Sequence, residues 1–422
     1  MRFLLPLLLL ASFAFPVPSP VSHYGKFQAD GPLLKSSKTG NAMQVKGVSF
    51  FWSHWSGDFY NENAVNRMAR DWKAEVVRAA YGATSNAFSS NTAAENRARV
   101  DTIVNAAVAN DIYVIIDWHS HTAHEAAETE RAKQFFSYFA QKYGHLDNVI
   151  FELYNEPLNA NWDNIKEYAL AVIPVIREYS SNLILVGTPR YSLDVDDAAT
   201  SPIEDPNLGY VFHFYAAEHS LGAYRNKIIN TQGSSLPIFV TEFGTTVADG
   251  GNPDKGHYNS HSKEKTDEWL AFLNSRKISY CAWSLFDKYE GSAFFGIDPN
   301  KKFNQVPPEN WTDTTLMTAS GRYIFNMLRE SYENPTPILK GAKNLKQGLA
   351  FANGKIFINA EKTGYMRLNA YSLNGTLAKT LFEGHLQAGN HEFMLEISQG
   401  VYIIKADLPS NSEKLITIIT KK

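Results

Sequence analysis

The sequence predicts a (β/α)₈ barrel followed by a small all-β domain. Three observations carry this expectation. Eight short Val/Ile-rich runs alternate with amphipathic helical segments over roughly 290 residues, as parallel strands covered on both faces should. Seven of the eight runs end in polar, chemically capable residues, which on a barrel would all face one mouth. From about residue 340 the pattern changes to alternation broken by turns. At 422 residues the chain is also longer than one core usually holds.

The elements follow in order. Residues 1 to about 15 read as a secretory signal: Arg2 is basic, and Phe3 to Leu10 form an apolar run too short to span a bilayer. Residues 16–23 are a Pro-rich lead, expected to be extended or disordered. The predicted catalytic domain covers 24–333, with strands at 45–50, 75–80, 112–118, 149–154, 183–187, 210–214, 238–242 and 279–284. Val65, Met68, Ala69 and Trp72 make a helical stripe after the first strand, and Ile165, Tyr168, Ala169, Val172, Ile173 and Ile176 make one after the fourth, where Pro174 is a candidate kink. Thr92-Ala-Ala-Glu95 has the form of a capping box opening another helix. An open doubly wound sheet is the rival. It would carry a Gly-rich phosphate turn after the first strand, and Phe50-Phe51-Trp52-Ser53-His54 is not one. Near Tyr332-Glu-Asn-Pro-Thr-Pro-Ile338 the barrel pattern stops, and 340–422 read as a β-sandwich-like domain with a hairpin signal at Asn374-Gly375.

Charge and composition narrow the function classes. A formal net charge of −3 gives no footprint for nucleic acid. No stretch after the signal is long and apolar enough for a membrane helix, so the protein is expected to be secreted or at the cell surface. Cys281 is the single cysteine and lies in an apolar run, which reads as a buried inert thiol.

The chemistry gathers at the strand ends. Val149-Ile-Phe-Glu-Leu-Tyr-Asn-Glu-Pro157 and Pro237-Ile-Phe-Val-Thr-Glu-Phe-Gly244 each close an apolar run with a carboxylate, Glu156 and Glu242. A carboxylate there is costly without polar partners or a chemical role. Two on separate strands supply the pair that glycoside hydrolysis requires. Asn155 stands beside Glu156, and Arg78, Tyr81, His119, His213, Tyr215, Trp283 and Lys288 stand at other strand ends. The nucleophilic carboxylate must stay ionised, so it wants a cation and a hydroxyl beside it, such as Arg78 and a tyrosine. The acid must hold a proton near neutrality, so its pKa is expected to be raised, partly by the other carboxylate. Trp283 offers a stacking face for a sugar ring.

These strings resemble glycoside hydrolase family 5, and within it the bacterial endoglucanase subgroup. The carriers are Lys46-Gly-Val-Ser-Phe-Phe-Trp52, Val77-Arg-Ala-Ala-Tyr81, Val114-Ile-Ile-Asp-Trp-His119, Tyr154-Asn-Glu-Pro157, His213-Phe-Tyr215, Val240-Thr-Glu-Phe-Gly244 and Trp283-Ser-Leu-Phe-Asp-Lys288. The resemblance implies that Glu156 is the acid/base and Glu242 the nucleophile, with retention of configuration. It implies that Arg78 and Tyr215 are partners of the nucleophile, Asn155 a ligand of the sugar 2-hydroxyl, His119 and His213 site histidines, and Lys288 a contact to a sugar hydroxyl. Two positions depart from the pattern: Phe51 stands where some relatives carry His, and Tyr191 where many carry Trp.

Each of the other candidates has a bland reading beside it. Trp52 is either core or platform, and Trp55 on its loop either exposed chance or a stacking face. Tyr81 and Tyr191 are further substrate-binding candidates. Glu152 and Asp117 read as structural ion-pair partners. His121 and His124 near Glu125 and Glu128 lack a third ligand at a compelling spacing, so neither metal nor cofactor is expected. The tail strings Ala370-Tyr-Ser-Leu-Asn-Gly375 and Gly400-Val-Tyr-Ile-Ile-Lys405 resemble the C-terminal sorting domains of type IX-secreted proteins. A carbohydrate-binding module is the alternative. The expected activity is an endo-β-1,4-glucanase acting on a β-glucan polysaccharide, with a secretion apparatus as a second partner through the tail. The alternatives are the same barrel acting on mannan, xylan or mixed-linkage glucan, and a binding protein that has lost catalysis.

Overall fold

The computed structural model describes residues 19–83, 90–300, 303–304 and 306–333, and in the C-terminal part 348–352, 355–360, 362–372, 376–387, 389–394, 397, 400–407 and 414–421. The signal segment and residues 16–18 of the lead lie outside the described residues, as does Asn374-Gly375. The chain divides into two compact units, Met1–Arg329 and Glu330–Lys422.

In the first unit eight strands close into a barrel: β1 Lys46–Phe50, β2 Val76–Gly82, β3 Tyr113–His119, β4 Val149–Glu152, β5 Ile184–Val186, β6 Leu208–Tyr215, β7 Ile238–Gly244 and β8 Ser279–Leu285. All neighbours are parallel, and β8 closes onto β1. Every described strand side chain except that of Lys46 is buried, because the inner face meets the barrel core and the outer face meets helices. Register then decides which polar groups meet. Arg78 lies opposite Ser49, Asp117 opposite Glu152, and His213 opposite Glu242. β4 and β5 end earlier than the apolar runs do, so Asn155 and Glu156 sit on the loop after β4. That loop is tied down by Glu156 N–H donating to Ser120 O at 3.2 Å.

The helices between the strands are α1 Glu62–Arg70, α2 Ser90–Ala109, α3 Ala126–Tyr143, α4 Trp162–Arg177, α5 Leu221–Gly233 and α6 Lys263–Ser275, with α7 Ala319–Glu333 after β8. α2 begins at Ser90, so Thr92 lies within its first turn and not at its cap; a capping pattern locates a helix start only to within a turn. α4 is closed at its start by a true capping box between Asn161 and Asn164 and continues through Pro174. The carbonyl that Pro174 leaves without its helical donor belongs to Leu170, on an exposed face. No regular helix follows β5. Arg190, Tyr191 and Ser192 form a left-handed turn with φ of 54°, 59° and 60°, followed by a 3₁₀ segment, Val195–Thr200.

The barrel floor is plugged by part of the lead and a two-stranded hairpin. Pro20–Tyr24 form a short helix, so this part of the lead is not extended, and Val21 and Tyr24 are buried. Phe27 of the hairpin packs against Tyr113, the rings tilted with centres 4.8 Å apart, and the Tyr113 hydroxyl donates to Gly25 O. Cys281 lies in this layer, fully buried, and burial pushes its thiol well above the usual range.

The second unit holds two antiparallel sheets. One orders Gly348–Ala352, Lys355–Ala360 and Gly389–Met394; the other orders Leu377–Leu386, Gly364–Ser372, Gly400–Asp407 and Lys414–Lys421. Ile356 and Ile358 of the first share a core with Met366, Leu368, Tyr402 and Ile404 of the second.

Candidate active site

The C-terminal ends of the strands bring most of the candidate residues to one mouth, and Arg78 is their hub. It is fully buried. Its Nε and Nη2 meet both oxygens of Glu152 at 2.7 and 3.1 Å. Nη2 also reaches Asp117 Oδ2 at 2.9 Å and Asn155 Oδ1 at 2.7 Å. Nη1 donates to Glu242 Oε2 at 3.0 Å and Ser49 Oγ at 3.3 Å. Three carboxyls surround one guanidinium, more negative charge than the cation neutralises. Asp117 absorbs the excess: burial, opposed by Arg78 and reinforced by Glu152 and Glu242, pushes it well above the usual carboxylate range.

Glu242 is held at both oxygens. The Tyr215 hydroxyl donates to Oε1 at 2.8 Å and Arg78 holds Oε2. Burial and the neighbouring carboxylate keep that phenol protonated, its pKa well above the ordinary value. Glu156 stands on the other wall. His213 Nδ1 is 3.1 Å from its Oε1, and His121 Nε2 is 3.5 Å from its Oε2. A carboxylate oxygen of Glu156, one of Glu242 and a ring nitrogen of His213 lie within 4.8 Å of one another. Among the described residues this is the one group of His, Cys, Asp and Glu with metal-like spacing. His124 and Glu128 are engaged elsewhere, with Tyr154 Oη and with Trp118 Nε1 and Thr122 Oγ1.

The proton in this cluster has two homes. Burial raises Glu156, but hydrogen bonds and charge from His121 and His213 override it and hold the carboxyl at about 2. Glu242 is then the raised member, through burial and the charge of Glu156. That reverses the sequence expectation, and the reason is the two histidines. A cationic histidine beside a carboxyl favours its ionised form, and a neutral one supplies no charge to hold it low. Such coupled groups titrate as a unit.

The aromatic wall is continuous. Trp283 stacks on His119 at 5.3 Å with the planes 1° apart, and a cis peptide joins it to Ser284. Trp52 meets His119 edge-on at 4.2 Å, and Trp55, 46% exposed, leans on Trp52. Burial and Arg78 hold the His119 imidazole well below its usual value, so it is neutral; its Nδ1 lies 2.6 Å from Asp117. Phe51 stacks on Phe286 at 4.8 Å. Lys288 is ion-paired with Glu290, and its Nζ lies 5.4 Å from the Phe51 ring centre. Tyr191, 47% exposed, is fastened to the Glu156 loop by its N–H donating to Pro157 O. Tyr81 is corrected: it is 3% exposed, with its ring against Trp118 and Phe135 between strand and helix. Counting two residues on from inward-facing Arg78 reaches Ala80, so Tyr81 points outward.

A family model described as cellulase (glycosyl hydrolase family 5) matches residues 36–289. The chain belongs to glycosyl hydrolase family 5. It is 41% identical over 332 residues to Endoglucanase Z of Dickeya dadantii, covering 78% of this chain and 70% of that protein. It is 36% identical to Endoglucanase A of Evansella cellulosilytica, covering 70% of this chain and 58% of that longer protein. The catalytic domain of Thermobifida fusca endoglucanase Cel5A, solved in complex with cellotetraose, aligns with TM-score 0.65 and 29% identity over 74% of this chain and 100% of that one.

Three residues of this family 5 site escaped the sequence reading. Ser49, Thr241 and Glu290 are ordinary in type, and only their partners single them out. His121 was weighed as a metal ligand with His124, yet it is the partly exposed neighbour of Glu156, set edge-on to Trp52 at 5.7 Å.

Proposed function

We propose that this glycoside hydrolase is a secreted endo-β-1,4-glucanase that works by retaining double displacement. The short separation of Glu156 and Glu242, with oxygens within 4.8 Å, carries the reading. A retaining pair sits about 5–5.5 Å apart, whereas an inverting pair needs about 6.5–9.5 Å to admit water. Glu242, between Arg78 and Tyr215, is the nucleophile. Its carboxylate bonds to the anomeric carbon while the Glu156 proton goes to the departing glycosidic oxygen. Water then attacks that carbon, its proton returns to Glu156, and Glu242 leaves as a carboxylate. Asn155 Oδ1 is occupied by Arg78, which turns its amide N–H₂ into the donor for the sugar 2-hydroxyl. Trp283, Trp55 and Tyr191 offer faces for flanking sugars, and Lys288 a charge for a hydroxyl. Names and ligand of the relatives support a β-1,4-glucan as substrate. The signal-like residues 1–15 and the tail's likeness to sorting domains support export.

Two measurements test this. Hydrolysis of carboxymethylcellulose should exceed that of mannan and lichenan; preference for mannan would move the assignment to the same barrel with another sugar. Glu156→Ala should be rescued by azide with formation of a β-glycosyl azide, and lack of rescue would overturn the acid/base assignment.

A further inference from the structure

Behind the Glu156–His213 contact runs a chain of hydrogen bonds whose direction can be deduced. Both oxygens of Glu152 accept from Arg78, so this carboxylate has no proton to give. Its Oε1 lies 2.7 Å from Thr241 Oγ1, so the hydroxyl hydrogen of Thr241 points to Glu152. Thr241 Oγ1 is also 2.9 Å from His213 Nε2. With its hydrogen already spent, that oxygen can only accept, and His213 Nε2 must carry a hydrogen. The form that protonates a leaving group is the one in which Glu156 carries the proton and His213 is neutral, and a neutral imidazole has a single N–H. In that form His213 Nδ1, 3.1 Å from Glu156 Oε1, is a bare acceptor, and its partner is the carboxyl O–H of Glu156.

From this we infer that Thr241 is a positioning residue for the acid: it locks neutral His213 in the Nε2–H tautomer, so that the Nδ1···Oε1 contact holds the one proton that catalysis delivers. Without the lock, the imidazole is free to turn its N–H toward Glu156, and a donor there favours the ionised carboxylate, which cannot protonate a leaving oxygen. Thr241, His213 and Glu152 are all buried, so water is a poor substitute for the hydroxyl. The inference rests on Glu156 being the acid/base. The groups facing the pair are His121 on the loop after β3, His119 and Asp117 on β3, Glu242 on β7, Tyr215 at the end of β6 and His219 beyond it. His213 Nε2 meets Thr241 Oγ1 at 2.9 Å, and Glu152 Oε1 lies 3.9 Å from it.

The test is the isosteric Thr241→Val variant beside Thr241→Ser in the full chain. Need for the acid depends on the leaving group. With Thr241→Val, kcat/KM on a soluble glucan should fall about tenfold or more, while 2,4-dinitrophenyl cellobioside, whose phenolate leaves unaided, should lose less than about threefold. The alkaline limb of the glucan profile should move to lower pH, because the protonated acid has lost its acceptor. Thr241→Ser should restore both. Nitrogen-15 NMR of neutral His213 in the unaltered protein should find Nε2 protonated and Nδ1 bare, which does not depend on activity or on the valine variant folding. A neutral Nδ1–H tautomer, or equal losses on both substrates with an unmoved alkaline limb, would overturn the inference. If azide instead fails to rescue Glu156→Ala, the acid assignment itself falls, and the NMR result still judges the lock.

Discussion

At the scale of single residues, Arg78 and Glu242 allow opposite predictions. Glu242→Gln keeps the shape and one acceptor oxygen for Arg78, with its N–H₂ turned as donor to the Tyr215 hydroxyl, but removes the attacking charge. Turnover should fall by at least about 1000-fold while calorimetry still registers cellotetraose binding; turnover near that of the unaltered protein would reject the nucleophile. Arg78→Met acts on the fold instead. It leaves Asp117, Glu152 and Glu242 buried without their cation, a loss of about 3–5 kcal/mol. The sign with pH follows from proton binding. A buried carboxyl whose pKa is raised, as that of Asp117 already is, binds more protons folded than unfolded. Stability therefore falls as pH climbs above the unfolded value near 4. Urea unfolding should show a smaller loss at pH 5 than at pH 8, and equal losses would mean that charge is not the cause.

At the scale of elements, the barrel depends on how closely β1 approaches β2. A Cβ at Gly47 would come within 1.8 Å of Val76 O on the neighbouring strand, so the residue is glycine for space and not for turn geometry. Gly47→Ala should force the two strands apart and cost about 1–3 kcal/mol, read as a lowered Tm. Activity should suffer too, since this pairing sets Ser49 beside Arg78. The connection after β5 works differently. Its three left-handed residues are strained, and they are held by Ser192 Oγ donating to Asn155 O at 2.8 Å and by the Arg190–Asp194 pair. The strained turn is thereby kept in place beside Asn155 and Glu156, with Tyr191 exposed upon it.

At the scale of the whole molecule, the carboxylate pair and its partners belong entirely to the first unit, Met1–Arg329. The second has its own core. Truncation after Glu333, which keeps α7 whole, should leave a folded barrel with carboxymethylcellulose activity within about twofold of the full chain. In its native host the truncated protein should fail to leave the cell if the tail is a sorting domain. Normal export with reduced adsorption to insoluble cellulose would make the tail a binding module, and a barrel that unfolds on truncation would reject both readings.

The sequence by itself determined the elements and the two carboxylates. Periodicity is a local property, so the eight strands and the stripe of α4 were legible to within a few residues, and a carboxylate closing an apolar run declares its desolvation cost without any partner in view. It also marked Glu152 and Asp117 as ion-pair partners, as their contacts with Arg78 bear out. Only the tertiary structure decided what meets what. In a strand buried on both faces, hydrophobicity does not say which parity points inward, and Tyr81 was misread for that reason. The descent of Glu156 under its two histidines, the crowding of three carboxyls on Arg78 and the chain from Glu152 through Thr241 to His213 arise from register between strands far apart in the chain. Hydrogen bonds act over about 3 Å, and which residues come that close is fixed by barrel closure, which no local pattern records.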